Sequence, residues 1–257
     1  MRPPTRQPTA ATATERAAVP GDPPPGPLVR NNVATRAFHA ATFVVTSVLL
    51  ATGWWLRAGN EGRPSALADV LGTPDTEVHR WAGWVLVALA AIGVTLGVRA
   101  AWTFVRETAR VHRGDGRWLL RWPVGALTGR FRSHRGHFDP GQRLANVAFV
   151  VTLATLGVTG VAMTTLTGGP TFATMVRVHR AATYVLTALV VGHVLVVSGI
   201  LPGYRGAWRA MVSGRVDGAT ARRLWPGESS PGSPPDCGHG PADPGSPDNR
   251  ERLEAPD

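Results

Sequence analysis

Residues 178–201, VHRAATYVLTALVVGHVLVVSGIL, decide the fold. The stretch is apolar nearly all round and contains no proline. It carries two histidines, His179 and His193, which are fourteen residues apart. In an α-helix this separation is about 21 Å along the axis and about 40° around it. The stretch therefore predicts a long helix with one imidazole near each end of the same face, an arrangement that suits two stacked cofactors.

Three further apolar runs precede this one, at residues 37–56, 79–98 and 144–163. Each is long enough to cross about 30 Å of hydrocarbon as a helix. A soluble four-helix bundle is the alternative, but it needs a polar stripe along each helix, and these runs show none. The sequence predicts an all-α integral membrane four-helix bundle spanning residues 31–213. The tails, residues 1–30 and 214–257, are rich in proline and are expected to be disordered.

The charges indicate the orientation of the bundle and exclude some functions. All 27 basic residues are arginine, and ten of them lie in residues 99–143 against three acids. The loop between the first two runs instead has more acids than arginines. The positive-inside rule places both termini and the basic loop in the cytoplasm, so this loop predicts topology rather than nucleic-acid binding. The single cysteine, Cys237, can neither form a disulfide framework nor ligate an iron–sulfur cluster.

Four histidines fall into two pairs at two depths of this topology. We expect an outer pair, His79 with His179, and an inner pair, His39 with His193, with the fourth helix contributing to both. Ionisable residues inside a membrane are costly and usually functional. The alternatives are hydrogen-bonded core histidines, and zinc or copper sites, which want three or four ligands close together. Four further histidines are expected to be solvated: His112, His134, His137 and His239.

Two facing imidazoles are suited to the two axial positions of a haem iron. A haem held in this way has no open position for oxygen, so it transfers electrons rather than activating a substrate. Gly53, Gly93 and Gly160 lie at depths where a small residue gives room to a flat macrocycle. Arg80 and Arg180, each next to an outer histidine, are candidates to pair with haem propionates, or they are ordinary interface arginines.

A weak internal repeat relates the two halves of the chain. The first and third runs align at an offset of 107, which matches Thr52-Gly53 with Thr159-Gly160. The second and fourth runs align at an offset of 100, over VHRWAGWVLVAL and VHRAATYVLTAL. The sequence looks like a duplicated helical hairpin.

Over residues 36–225 the chain resembles the cytochrome b (gamma) subunit of membrane-bound formate dehydrogenases and the related cytochrome b subunits of hydrogenases. The resemblance rests on TRAFHAATFVVTSVLLATGWW, EVHRWAGWV, FDPGQRLANVAFVVTLATLGVTGVAM, the histidine spacing of the fourth run and YRGAWRAMVSGRVD. It implies a multi-pass subunit of a bacterial plasma membrane, surrounded by lipid and holding two b-type haems. His39, His79, His179 and His193 would be the iron ligands.

The same resemblance implies a place in a respiratory chain. Electrons would come at the outer face from an iron–sulfur subunit, itself fed by a catalytic dehydrogenase subunit, and menaquinone would be reduced near the inner haem. The family's quinone site matches Asp139, Gly141 and Gln142, although the family usually has Asn at position 139 and Trp at the position of Ala40. A carboxylate at position 139 either relays a proton to quinone or pairs with Arg143.

Other functions are consistent with the same residues. The chain has no dehydrogenase site of its own, because it lacks a molybdenum or iron–sulfur ligand set and a nucleotide-binding glycine loop. It is therefore expected to be the electron-transferring part of an oxidoreductase complex. The alternatives are a stand-alone dihaem cytochrome that exchanges electrons between quinone and another carrier, and a haem-free membrane anchor.

Overall fold

A computed structural model describes residues 27–60, 62–134 and 136–225, and this part of the chain is mostly helical. Two short strands and one 3₁₀ turn, at Pro202–Tyr204, accompany the helices. The strands are β1 (Leu28–Val29) and β2 (Arg215–Val216), and the helices are α1 (Val33–Arg57), α2 (Ala66–Leu71), α3 (Asp75–Leu96), α4 (Val98–Ala109), α5 (Asp115–Thr128), α6 (Pro140–Thr165), α7 (Gly169–Val197), α8 (Arg209–Val212) and α9 (Gly218–Leu224).

Four of these helices, α1, α3, α6 and α7, are long and apolar enough to cross a membrane, which confirms the predicted all-α membrane bundle. Their bounds differ from the predicted ones. Three begin four residues earlier than expected and α7 begins nine residues earlier. Apolarity marks the hydrocarbon-facing part of a helix, whereas the backbone helix begins at a capping residue outside it. α7 also ends earlier, before Gly199, which has a φ of +83°.

The spanning helices pack chiefly as two hairpins, α1 with α3 and α6 with α7, and the hairpins meet along α3 and α6. Few side chains of the spans are buried. Apart from Asp75, Pro140 and Arg143 near the helix starts, they are mostly small or hydroxyl-bearing: Thr46, Thr52, Val78, Thr152, Thr159, Ala182 and Leu186. Such residues allow close helix approach in a membrane. The larger apolar side chains point outward, as expected where lipid surrounds the bundle.

The basic loop between α3 and α6 folds into α4 and α5, which hydropathy does not predict. Arg143 at the start of α6 is buried, and its Nη2 donates to Asp115 Oδ1 over 2.9 Å. Trp122 Nε1 donates to the Tyr204 hydroxyl over 2.8 Å, and Trp118 stacks against Phe131. The first two contacts pack α5 against the start of α6 and the 3₁₀ turn that follows α7, so the loop forms a folded cap on the side that its arginines assign to the cytoplasm.

The ordered region is longer than the predicted residues 31–213. β1 and β2 pair antiparallel, with Leu28 opposite Val216, and the Val216 side chain is 1% exposed. The predicted tails are therefore wrong for residues 27–30 and 214–225, because a two-residue strand pair depends on a distant partner that composition does not reveal. Residues 1–26 and 226–257, where the rest of the tails was predicted, lie outside the described residues.

Candidate functional site

The structure brings the four predicted histidines together as two facing pairs. In the outer pair, the ring centres of His79 on α3 and His179 on α7 are 6.3 Å apart. In the inner pair, the ring centres of His39 on α1 and His193 on α7 are 6.2 Å apart. These are the partners that the depths predict. α7 belongs to both pairs because its two histidines lie on one face, four turns apart.

Both outer rings contact a threonine hydroxyl on the neighbouring helix of their own hairpin. Thr52 Oγ1 on α1 lies 2.8 Å from His79 Nδ1, and Thr159 Oγ1 on α6 lies 2.9 Å from His179 Nδ1. Each hydroxyl is buried. The internal repeat matches these two threonines, and the structure gives them the same contact in the two hairpins.

The glycines that follow the threonines lie against the same rings. A Cβ on Gly53 would lie 3.2 Å from His79 Cε1, and one on Gly160 would lie 3.6 Å from His179 Cε1. A Cβ at Gly53 would therefore press on the His79 ring, whereas one at Gly160 would make ordinary van der Waals contact with His179. Gly93 differs from the expectation, because a Cβ there would lie 2.8 Å from the ring of Phe38, so this glycine makes room for Phe38 rather than for a histidine pair.

The inner pair has an aromatic environment. The ring of Phe149 on α6 meets His193 edge-on, with centres 5.7 Å apart.

Between α1 and α7, Trp54 Nε1 donates to Thr187 Oγ1 over 3.0 Å, and its ring meets Tyr184 edge-on at 5.3 Å. Hydropathy places Trp54 at the membrane interface, so its role in joining the two hairpins appears in the tertiary structure alone.

The residues present fit a haem held between two imidazoles. An imidazole nitrogen bonds a metal at about 2.0 Å, and the ring centre lies about 1 Å behind it, so two rings on opposite sides of one iron have centres roughly 6 Å apart. The observed separations of 6.2 and 6.3 Å match this value. No group of three or more histidine, cysteine or carboxylate ligands occurs in the described residues.

The two arginines beside the outer pair have different surroundings. Arg80 forms an exposed ion pair with Glu77, which is typical of an ordinary surface arginine. Arg180 is exposed and has no acidic partner within the described ranges. Contact of either guanidinium with a haem propionate remains a prediction.

The predicted quinone segment lies at the start of α6. Asp139 Oδ1 accepts from the Gln142 N–H over 2.8 Å and caps the helix, while Gly141 packs against Trp118. Of the two alternatives for Asp139, pairing with Arg143 is not observed, since Arg143 binds Asp115 instead. Burial raises the pKa of the Asp139 carboxyl above its ordinary value.

Two of the histidines expected to be solvated are not. His134 is half-buried, and its Nε2 lies 3.2 Å from the Leu224 carbonyl oxygen. The Nε2 atom of His112 is buried without a hydrogen-bond partner in the described chain. Both corrections follow from the folding of the basic loop into a cap. His137 is exposed as expected, and His239 lies outside the described residues.

A membrane-spanning helical bundle with facing imidazole pairs at two depths defines a membrane cytochrome b. The family model described as prokaryotic cytochrome b561 matches residues 30–214. The chain belongs to this family, and it is accordingly a multi-pass bacterial membrane protein that transfers electrons with haem b. No curated protein matches the chain significantly.

Proposed function

We propose that the protein binds two haems, one at the outer pair and one at the inner pair, and carries electrons across the plasma membrane to menaquinone. The observation that carries the proposal is the pair of ring separations, 6.3 and 6.2 Å, at two levels of α7. A haem with two imidazole ligands supplies one-electron exchange and leaves no position for oxygen. The two levels are about 21 Å apart along the helix.

Quinone reduction is proposed at the cytoplasmic start of α6. Phe149 contacts the inner His193, and Asp139 lies ten residues before it, about 15 Å nearer the cytoplasm along the helix. Because burial raises the pKa of Asp139 and Arg143 is engaged elsewhere, the carboxyl is suited to hold a proton and to donate it to a reduced quinone. Gly141 and Gln142 would line the same site.

The electron donor is proposed to be an iron–sulfur subunit of a dehydrogenase complex, bound at the outer face. The resemblance to formate dehydrogenase gamma subunits supports this partner, and the sequence holds a single cysteine, too few to ligate such a cluster. A hydrogenase complex is the second candidate, with which the family match is also consistent. Co-purification of the native complex, followed by an assay with formate or hydrogen, distinguishes the two donors.

Haem content tests the assignment of the ligands. The wild-type protein should show a dithionite-reduced b-type spectrum with about two haems per chain. His179→Ala and His193→Ala should each retain about one haem, because each removes a ligand from a different pair. His193→Ala should also abolish quinone reduction, and His137→Ala, at an exposed loop position, is the matched control. Retention of both haems in His193→Ala would show that the pairing is wrong.

The quinone site is tested separately with Asp139→Asn, which keeps the cap acceptor but cannot release a proton. We expect both haems to remain and the rate of menaquinone reduction to fall at least tenfold, within the 10²–10⁴-fold range that general acid–base groups contribute. An unchanged rate would exclude Asp139 as the proton donor while leaving the haem assignment intact.

A further inference from the structure

The two histidine pairs differ in what holds their rings. Thr52 donates its hydroxyl hydrogen to the Val48 carbonyl oxygen over 2.8 Å, and Thr159 donates its own to the Thr155 carbonyl oxygen over 2.6 Å. A hydroxyl has one hydrogen to donate, so each threonine oxygen can only accept from the imidazole nitrogen next to it. Both outer rings must therefore carry their hydrogen on Nδ1.

This hydrogen bond leaves Nε2 of each outer ring without a hydrogen and available as a ligand. A hydrogen bond accepted from the distal N–H of a ligating histidine fixes the tautomer and the ring orientation, and it makes the ligating nitrogen more basic. Each threonine is followed by a glycine that lies against the same ring, and at Gly53 the absence of a Cβ allows α1 to approach His79 closely.

The inner rings lack this support. In the part of the chain that the structure describes, neither His39 nor His193 has a hydrogen bond to its ring, and the nearest ring neighbour of His193 on α6 is Phe149. The sequence between α3 and α6 also has nine arginines against three acids, on the side where the inner pair lies. Positive charge favours the added electron of a reduced site. The missing hydrogen bonds to the rings and the nearby arginines therefore both raise the reduction potential of the inner site.

We infer that Thr52 and Thr159 are positioning residues that make the outer site lower in reduction potential than the inner site. Stronger donation from His79 and His179 stabilises the oxidised metal, whereas unsupported imidazoles and nearby arginines at the inner pair stabilise the reduced one. The chain itself thus gives electrons a downhill direction from the outer to the cytoplasmic side. This inference rests on the proposed binding of one haem at each pair.

The test is a spectroscopic redox titration of the full-length protein purified with its haems. Thr52→Val and Thr159→Val remove the hydroxyl acceptor at nearly constant volume and leave the backbone carbonyls beside the rings in place. The component with the lower potential should move upward, so that at a fixed potential its ratio of reduced to oxidised form rises several-fold in each variant. The double variant should reach about tenfold, which corresponds to about 59 mV for one electron. His179→Ala identifies that component, because it should be the one lost.

Matched variants separate positioning from general damage. Thr52→Ser and Thr159→Ser keep the hydroxyl and should restore the wild-type potential. Ser47→Ala and Thr155→Val remove hydroxyls that donate within the same helices, to Phe43 and Val151, without contacting a histidine, and should leave both potentials unchanged. If the valine variants lose the outer haem, retention of that haem in the serine variants supports the inference equally well.

Three results would overturn the inference. They are valine variants that titrate like the Thr155→Val control, a shift confined to the higher-potential component, and serine variants that lose haem as the valine variants do. None of these contradicts the proposed function. A wild-type protein that carries no haem, or one haem per chain, would contradict the proposed function itself.

Discussion

Asp139 and Asp217 show how one residue type is used in two opposite electrostatic settings. Both are N-caps, with Oδ1 accepting a backbone N–H three residues on, at 2.8 Å in each case. Burial raises the pKa of Asp139, whereas hydrogen bonds from Thr220 lower the pKa of the exposed Asp217. The cap hydrogen bond favours the charged form of both carboxyls, and at Asp139 the opposing effect of burial is larger.

Asp139→Asn should increase stability at pH 7–8. Since the folded carboxyl has a raised pKa, the folded state binds its proton more tightly than the unfolded state, and wild-type stability falls as pH rises above the ordinary value of 3.8. Asparagine keeps the cap oxygen without the charge, so the variant should unfold at a higher temperature at neutral pH. The difference in unfolding temperature between the variant and the wild type should fall to zero below pH 3.8.

Asp217→Asn is the control, and its effect on stability at neutral pH should have the opposite sign. Its lowered pKa means that the carboxylate contributes stability above the ordinary pKa and loses it as pH falls through the folded value. This variant should be less stable than wild type at neutral pH and equal to it in strong acid. Thermal unfolding in detergent across this pH range measures both differences. An Asp139→Asn variant less stable than wild type at pH 7 would contradict the assignment.

At the level of elements, one ion pair fixes the folded cap to the bundle. The side chain of Arg143 is 6% exposed, and it bonds both Asp115 at the start of α5 and the Arg110 carbonyl oxygen after α4. The guanidinium therefore joins three elements. Because it is buried, the loss of its carboxylate partner leaves a charge without compensation.

Asp115→Ala should lower the free energy of unfolding by about 3 kcal/mol, the cost expected when one partner of a buried ion pair is removed. The measurement is denaturant unfolding in detergent micelles. Arg117→Ala, at an exposed position on the same helix, should change the free energy by less than about 0.5 kcal/mol. A loss for Asp115→Ala no larger than that of the control would show that the pair does not hold α5 in place.

At the level of the whole molecule, the first and last segments of the described chain bind to each other. β1 pairs with β2, and the guanidinium of Arg36 near the start of α1 donates to the carbonyl oxygens of Met211 and Val212. The segment after α7 thereby holds the first turn of α1, the helix that carries His39. Both hairpins are tied together at the inner side by this contact.

Val216→Asp should weaken the pairing of β1 with β2. The side chain is 1% exposed, and a carboxylate placed there would lose hydration without a partner. Hydrogen exchange of the amides in β1 and β2 should become at least tenfold faster, equivalent to about 1.4 kcal/mol. Val212→Asp, where the side chain is 63% exposed, is the control and should exchange at the wild-type rate. Equal protection in both variants would contradict the role of Val216.

Much of the candidate site could be predicted because membrane crossing imposes simple rules. Four apolar runs predict four helices, and the alternation of directions places His39 with His193 and His79 with His179 at common depths. The repeated Thr-Gly steps are visible in the sequence, but their contact with His79 and His179 is not, because it depends on how neighbouring helices are rotated. For the same reason Gly93 faces Phe38 rather than a histidine pair.

The sequence by itself determines the class of fold, the number of spans and the residues able to ligate iron, since hydropathy and a fourteen-residue spacing fix the depth of each imidazole on α7. The tertiary structure decides which threonines hold the outer rings, that Asp115 rather than Asp139 binds Arg143, and that the basic loop is a folded cap. These features depend on side chains from distant elements meeting, and burial then sets the pKa of Asp139 and the cost of an unpaired Arg143.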